Sequence, residues 1–405
     1  MKLLIICGVF PPSTSATAVL INKLLLKFNE ARVQVDGVTF KRSLADPDSY
    51  QTGNIKVYCS NGILGVPSEV KCFADFKYKA VNHLHRRFSK PTGVVPLYKR
   101  DRVKALMSTL KKLKVEEYDG IISICAYYDA AVALAEYKKK YSLKTPIVLY
   151  QVDPLTENVI YGGGEALLAY EKSLYGLYDY VFTTPTVYET KKGLGWDMSN
   201  VEVLMFPMSF GDRKTFKRED REIIKCVYTG QLYGDIRDAR PTLELFSSIA
   251  DPKIHLYFAG RGQEALLREY EQGKLKGRLH LLGEKTAEEC DELLADADIL
   301  INIGNTDKYL IPSKLFHYFG FGKPILNISK DSSCPALPYI NEYGLGLSVL
   351  EQELAGCSQP DKVKNWIYDN KDESVDEKEI RKNFYSSDPK YIAEHILSVL
   401  KQKCK

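Results

Sequence analysis

Asn305 to Leu326 reads NTDKYLIPSKLFHYFGFGKPIL, and the reading of this stretch decides the fold. The apolar run Ile299 to Ile303 leads into it, and a second run, Ile325 to Ile328, leaves it. Between them Pro312 stands where a helix begins, and Gly320 and Gly322 where one ends. Proline in a first helical turn sacrifices no hydrogen bond, because the amides there have no intrahelical partner. The free amides that follow attract an anion, and Ser313 and Lys314 set a hydroxyl and a cation beside them. Asn305, at the head of the loop, is a further candidate for the same site. The pattern also fits a helix with ordinary termini.

The same alternation of strand and helix extends in both directions. Strands are expected at Leu3 to Cys7, Val33 to Phe40, Ile55 to Cys59, Ile121 to Cys125, Ile147 to Tyr150, Tyr180 to Thr184 and Val201 to Phe206. They resume at Cys226 to Thr229, Ile254 to Phe258, Leu279 to Leu282, Ile299 to Ile303, Ile325 to Ile328 and Leu345 to Val349. Most are continuous apolar runs, as strands covered on both faces require. The rhythm breaks only at FPMSFGDRKTFKREDR, Phe206 to Arg221, whose Pro, Gly and mixed charges mark a linker. The 405 residues suit two domains of about 200 each. The expected organisation is an α/β chain of two doubly wound parallel sheets, 1–208 and 222–388, with a last helix in 389–405 that crosses back to the first domain.

In such sheets ligands bind beyond the carboxyl ends of the strands. VYTGQLYGDIRDARPTLELF, Val227 to Phe246, ends a strand at Gly230 and places Arg237 and Arg240 near the next helix. An arginine there clamps a leaving diphosphate through paired hydrogen bonds, or is merely a surface cation. FAGRGQE, from Phe258, offers Gly260 and Gly262 for close backbone approach and Arg261 for charge. In the first half, Gly8 to Ser15 follows the first strand, with Ser13, Thr14 and Ser15 as hydrogen-bonding groups or as an ordinary helix cap. YQVDPLTEN, Tyr150 to Asn158, puts Asp153 at a strand end, where it serves either as a general base or as a turn cap. Glu165, after Gly162 to Gly164, is a candidate for an acceptor loop.

Pro312 to Pro324 closely resembles the P-S-K-aliphatic-F-E-Y to G-K-P segment of family 4 GT-B glycosyltransferases. The loop from Gly230 is similar to that family's T-G-x-x-Y-x-x-I-R-x-x-R stretch, Phe258 to Glu264 to its G-x-G loop, and Val9 to Phe28 to its opening F-P-P segment. The resemblance implies two Rossmann-like domains facing a central cleft, with the nucleotide sugar held by the second. It implies that Gly8, Ser13, Gly230, Arg237, Arg240, Gly260, Arg261, Asn305, Ser313, Lys314 and His317 contact the donor, and that Asp153, Arg237 and Lys314 serve the reaction. One departure matters. Tyr309 and His317 stand where the family has the two glutamates of its Glu, seven residues, Glu pattern. A carboxylate accepts two hydrogen bonds from a ribose diol, whereas neutral imidazole accepts one and donates one. His317 is thus either an altered ribose ligand or a helix histidine with no ligand.

Composition removes other classes. Hydrophobic content of 45% and charged content of 27% suit a folded globular chain. The nine cysteines are scattered, with no C-x-x-C spacing, so neither a disulfide framework nor a zinc site is indicated and a reducing cytoplasm fits. No G-x-G-x-x-G follows the first strand, which argues against a nicotinamide enzyme. Between Lys71 and Lys114 thirteen Lys or Arg face only Asp75 and Asp101. With Phe76, Phe88 and Tyr98 among them, this stretch reads as a peripheral membrane contact or a solvated basic helix. No nucleic-acid motif accompanies the charge.

The expected activity is metal-independent and needs no cofactor. A sugar passes from a nucleoside diphosphate to a hydroxyl of a glycan or lipid-linked acceptor, with retention at the anomeric carbon. Two rivals stand beside it: a nucleotide-sugar 2-epimerase, and a weakened glycosyltransferase-like binding subunit.

Overall fold

The computed structural model describes residues 1–13, 15–63, 100–125, 128–151, 153–157, 164–207, 222–234, 236–354, 356 and 358–403. The chain divides into two compact units, Met1–Pro207 with Ser386–Lys405, and Met208–Tyr385.

The first unit carries β1 (Lys2–Cys7), β2 (Gln34–Lys41), β3 (Ser49–Thr52), β4 (Ile55–Ile63), β5 (Gly120–Cys125), β6 (Ile147–Gln151), β7 (Tyr180–Thr183) and β8 (Val201–Val203). Their order is β3-β4-β2-β1-β5-β6-β7-β8, parallel throughout except for the antiparallel pair β3 and β4. Leu3 to Cys7 is fully buried, because helices cover both faces of the central strands. Those helices are α1 (Ala16–Glu30), α2 (Arg100–Lys112), α3 (Tyr128–Tyr141), α4 (Glu165–Tyr175) and α5 (Pro185–Gly193). α1 starts at Ser15, whose hydroxyl caps the Ala18 amide at 3.3 Å.

The second unit carries β9 (Ile224–Thr229), β10 (Ile254–Ala259), β11 (Leu279–Gly283), β12 (Ile299–Ile303), β13 (Ile325–Ser329) and β14 (Gly346–Leu350). All are parallel, in the order β11-β10-β9-β12-β13-β14. Between and after them come α6 (Arg240–Ser248), α7 (Glu264–Gln272), α8 (Ala287–Asp296), α9 (Ser313–Phe321), α10 (Leu337–Tyr343), α11 (Gln359–Asn370) and α12 (Glu377–Asn383). A last helix, α13 (Pro389–Lys403), returns to the first unit and packs on α1.

Three differences from the sequence reading have physical causes. β3 was not expected, because Ser-Tyr-Gln-Thr is polar and half exposed; its edge position is made by pairing with β4 alone. Of Val201 to Phe206, only the first three residues pair as strand, the rest being buried irregular chain. Gly320 lies inside α9, and Gly322, at φ +67°, ends it.

The basic stretch is described only from Arg100 onward, so its reading over Lys71 to Lys99 lies outside the described residues, as does the linker from Met208 to Arg221. Within α2 the apolar face, Val103, Leu106 and Leu110, is buried in the unit's own core. Arg102 is no surface cation: it is buried, paired with Asp129 at 3.0 Å and bonded to the Ile63 carbonyl at 2.6 Å. What α2 offers outward is polar, Arg100, Asp101, Lys104, Ser108, Lys111 and Lys112, without an apolar face for lipid. Among the described residues no helix is long and apolar enough to cross a membrane.

Candidate active site

In the second unit the loops after β9, β10 and β12 meet at the carboxyl end of the sheet. The crossing of the first two is made of backbone. Gly230 N–H donates to Ala259 O at 2.7 Å and Leu232 N–H to Arg261 O at 2.9 Å. Gly230, Gly260 and Gly262 have φ of +146°, +147° and +99°, which other residues rarely adopt. A Cβ on Gly260 would stand 1.8 Å from Gly230 O, so the glycine is required twice over. Gly230, Gly260 and Arg261 line a pocket of about 200 Å³ with Leu232, Phe258 and Leu281. Its apolar walls suit a flat ring, and its glycines let a ligand approach the backbone closely, their own amides being bonded to Ala259 O, Gly283 O and Glu264 Oε1.

Beside this pocket two cations converge. Arg237 donates from Nε and Nη2 to Asn305 Oδ1 at 3.1 and 2.7 Å, and from Nη1 to Gln231 O at 3.3 Å. Asn305 is itself held by its amide on Leu310 O at 2.8 Å. Asn305 therefore aims the guanidinium and has little left to offer a ligand. Lys314, in the first turn of α9, reaches back to donate to Thr229 O at 3.0 Å. Its neighbour Tyr318 pins the same strand end, accepting from Thr229 N–H at 3.0 Å. Lys314 is open to solvent on one side and crowded by protein on the others. Desolvation, with Arg237's charge adding to it, pulls its pKa down to about 8. Among the described residues no carboxylate pairs with Arg237 or Lys314. Two like charges left together beside a helix N-terminus make a field that attracts an anion.

His317 lies one turn further along α9, and its Nε2 is 2.7 Å from Asp291 Oδ1 on α8. The imidazole is thus half of a pair, and a carboxylate returns to this face from a different helix. Arg240 is not brought to the cluster. It opens α6 and lines a separate groove with Asp238, Glu244 and Glu351. Ser313 begins α9 after Pro312, as its sequence position implies.

The first unit holds the other candidates. Gly8 and Ser13 line a cavity of about 320 Å³ at the ends of β1 and β2, together with Arg42 and Tyr50. Arg42 Nη2 donates to Ser13 Oγ at 3.4 Å, while the neighbouring Lys41 is neutralised by Asp48 at 2.6 Å. Thr14 lies outside the described residues. Asp153 follows β6, its amide bonded to Cys125 O at 3.3 Å and its carbonyl accepting from Tyr128 OH at 3.2 Å. Its carboxyl makes no hydrogen bond among the described residues, and burial pushes its pKa up to about 6. It caps no turn through its side chain. Glu165 begins α4, but Gly162 and Gly163 before it lie outside the described residues. Among the described residues no group of three or more His, Cys, Asp or Glu is placed to hold a metal ion.

Sequence reasoning missed Asp291, Arg42 and the groups beneath Asp153. No spacing links Asp291 to His317, because their helices meet only after folding.

No family model matches the chain, and no curated protein matches it. Solved structures do, over their full length. Sucrose-phosphate synthase from Thermosynechococcus elongatus superposes with TM-score 0.67 at 12% identity, covering 99% of each chain. Trehalose-6-phosphate synthase from E. coli, bound with UDP-2-fluoro glucose, gives 0.66 at 12% over 99% of each. A putative UDP-N-acetylglucosamine 2-epimerase from Listeria monocytogenes gives 0.58 at 13%, over 99% of this chain and 95% of that one. At such identities the likeness is one of architecture: the chain has the GT-B fold.

Proposed function

We propose that this protein transfers a sugar from a nucleoside diphosphate sugar to an acceptor hydroxyl, with retention at the anomeric carbon, in the assembly of a glycan or lipid-linked saccharide. The observation that carries the reading is the convergence of Arg237 and Lys314, neither paired with a carboxylate among the described residues, on the α9 N-terminus. As the glycosidic bond lengthens, charge builds on the departing diphosphate. Fixed cations and amides stabilise that charge more than they stabilise the ground state. The pocket at Gly260 takes the base, and the His317–Asp291 pair takes the ribose. The reaction as proposed needs no metal and no further cofactor. Incubating the protein with a panel of nucleotide sugars and saccharide or lipid-linked acceptors tests it; donor binding with no product from any pair would favour the binding-subunit reading.

Asp153 is the proposed acceptor of the hydroxyl proton, since its carboxyl has no hydrogen-bond partner among the described residues and burial raises its pKa to about 6. Transfer is then expected to fall as pH drops below about 6, where the carboxyl carries its own proton. Asp153→Asn should abolish this limb along with most of the activity. Stability should move the other way. A carboxyl whose pKa is raised on folding favours the fold while protonated, and loses that contribution as pH rises through the folded value. The amide should therefore stabilise the protein by about 1–3 kcal/mol at pH 7 and by nothing near pH 3, which paired melts would reveal. Equal melting at both pH values would contradict a desolvated, ionised Asp153.

His317→Glu restores the family's letter but sets two carboxylates face to face with Asp291. We expect a loss of about 1 kcal/mol in stability and weaker nucleotide binding, read by melts and by titration with UDP. Tighter UDP binding would show that Asp291 yields its place. The epimerase reading rests on fold alone, since among the described residues no second carboxylate is hydrogen-bonded to Asp153.

A further inference from the structure

Beneath the Asp153 loop lies a set of charged and polar groups that the proposed chemistry does not use. Lys191, on α5, is completely buried. Its ammonium is 2.6 Å from Glu157 Oε1 and 2.5 Å from Glu171 Oε2, and lies 4.5 Å from the Trp196 ring centroid. Glu171, also fully buried, accepts from Gln151 Nε2 at 2.7 Å and from Thr156 Oγ1 at 2.6 Å. Gln151 donates in turn to Tyr128 OH at 2.7 Å, and that hydroxyl donates to the Asp153 carbonyl.

The loop from Asp153 to Glu157 is therefore tied at its carbonyl, its threonine and its glutamate to one buried cluster. Such a cluster is a costly way to hold a fold, because desolvating three ions offsets most of their mutual attraction. One lysine also serves two carboxylates, leaving Glu157 Oε2 buried without a hydrogen bond. Burial and the neighbouring Glu171 charge raise the Glu157 pKa, so this end of the bridge is the weaker one.

We propose that Lys191 is a positioning residue that, through its buried bridge from Glu157 to Glu171, holds the loop bearing Asp153 at the carboxyl end of β6. The proposal rests on the proposed role of Asp153 for its catalytic meaning, and on the buried bridge alone for its structural one. Burial is what raises the Asp153 pKa, and the nearby buried thiols Cys7 and Cys125, their own pKa values raised, stay protonated and uncharged, so the carboxyl's ionisation depends on where the loop puts it.

Replacing Lys191 would leave two buried carboxylates facing each other and threatens the fold, so Glu157→Gln is the better variant. It keeps the side-chain shape and the Lys191–Glu171 pair and loosens only the loop. Amide exchange across residues 153–157 should rise by about tenfold or more, because local opening becomes easier. By NMR of labelled aspartate, the Asp153 carboxyl should titrate below its starting value of about 6, toward the ordinary carboxylate range, as water reaches it. Sugar transfer should lose kcat with the donor KM unchanged. Exchange and titration both holding at their unmutated values would overturn the proposal. Should the unmutated protein transfer no sugar, the function fails as read, while exchange and titration still decide the role of Lys191.

Discussion

Lys314→Ala is expected to cut sugar transfer by about 10²–10³-fold while leaving the second unit folded. The ammonium has no carboxylate partner among the described residues, so its removal strands no opposite charge. What is lost is a cation between Thr229 O and the first turn of α9, where a diphosphate leaving group gains charge. The pH dependence carries the sign. With its pKa pulled down to about 8 by desolvation and by Arg237, Lys314 gives up its charge as pH rises past that value. Donor affinity in the unmutated protein should therefore weaken above about pH 8, and the alanine variant should lack that limb. Donor titrations by calorimetry at pH 7 and pH 9 measure both effects. Near-normal turnover in the variant would remove Lys314 from the reaction.

Gly260→Ala should do damage of a different kind. Its Cβ would stand 1.8 Å from Gly230 O and 2.7 Å from Gly230 C, at a φ of +147° that alanine avoids. Both ends of the contact are backbone, so no side chain can swing aside. The β9 and β10 loops must part, breaking the bond between Gly230 N–H and Ala259 O. We expect a loss of about 3 kcal/mol or more, near 10 °C in melting for a unit this size, and no measurable nucleotide binding. Gly277→Ala is the control. It too has positive φ, +79°, but nothing lies within 4 Å of its Cβ, so only about 1 kcal/mol of backbone strain is at stake. Equal melting of the two variants would mean that the loop crossing is looser than its geometry.

The strands were legible because the solution is unforgiving: a strand buried on both faces, such as Leu3 to Cys7, must be apolar throughout. The helix start after Pro312 was legible for a similar reason, since Pro312, Ser313 and Lys314 are adjacent in the chain and share one helix terminus. What stayed hidden were contacts made between elements. The sequence favours Arg237 over Arg240 only through a resemblance, and nothing in it shows that three residues of loop and helix turn one onto Asn305 and the other into a separate groove. His317 gives no hint of Asp291, twenty-six residues earlier. The bridge from Glu157 through Lys191 to Glu171 spans three separate elements, and each letter alone reads as a surface charge.

The return of α13 to the first unit bears on how the chain comes into being. Ile392, Ile396 and Leu400 are fully buried there, and Leu400 sits so close to Gly120 that a Cβ on that glycine would meet it at 2.9 Å. During synthesis the first unit must therefore wait, with the flank beside β1 and β5 open, until the ribosome has released residue 400. The second unit, contained within 208–385, has all its parts fifteen residues earlier. The amino-terminal unit therefore has no head start from being translated first. The half that is translated first spends longest with apolar surface uncovered, and is the half that chaperones would be expected to guard.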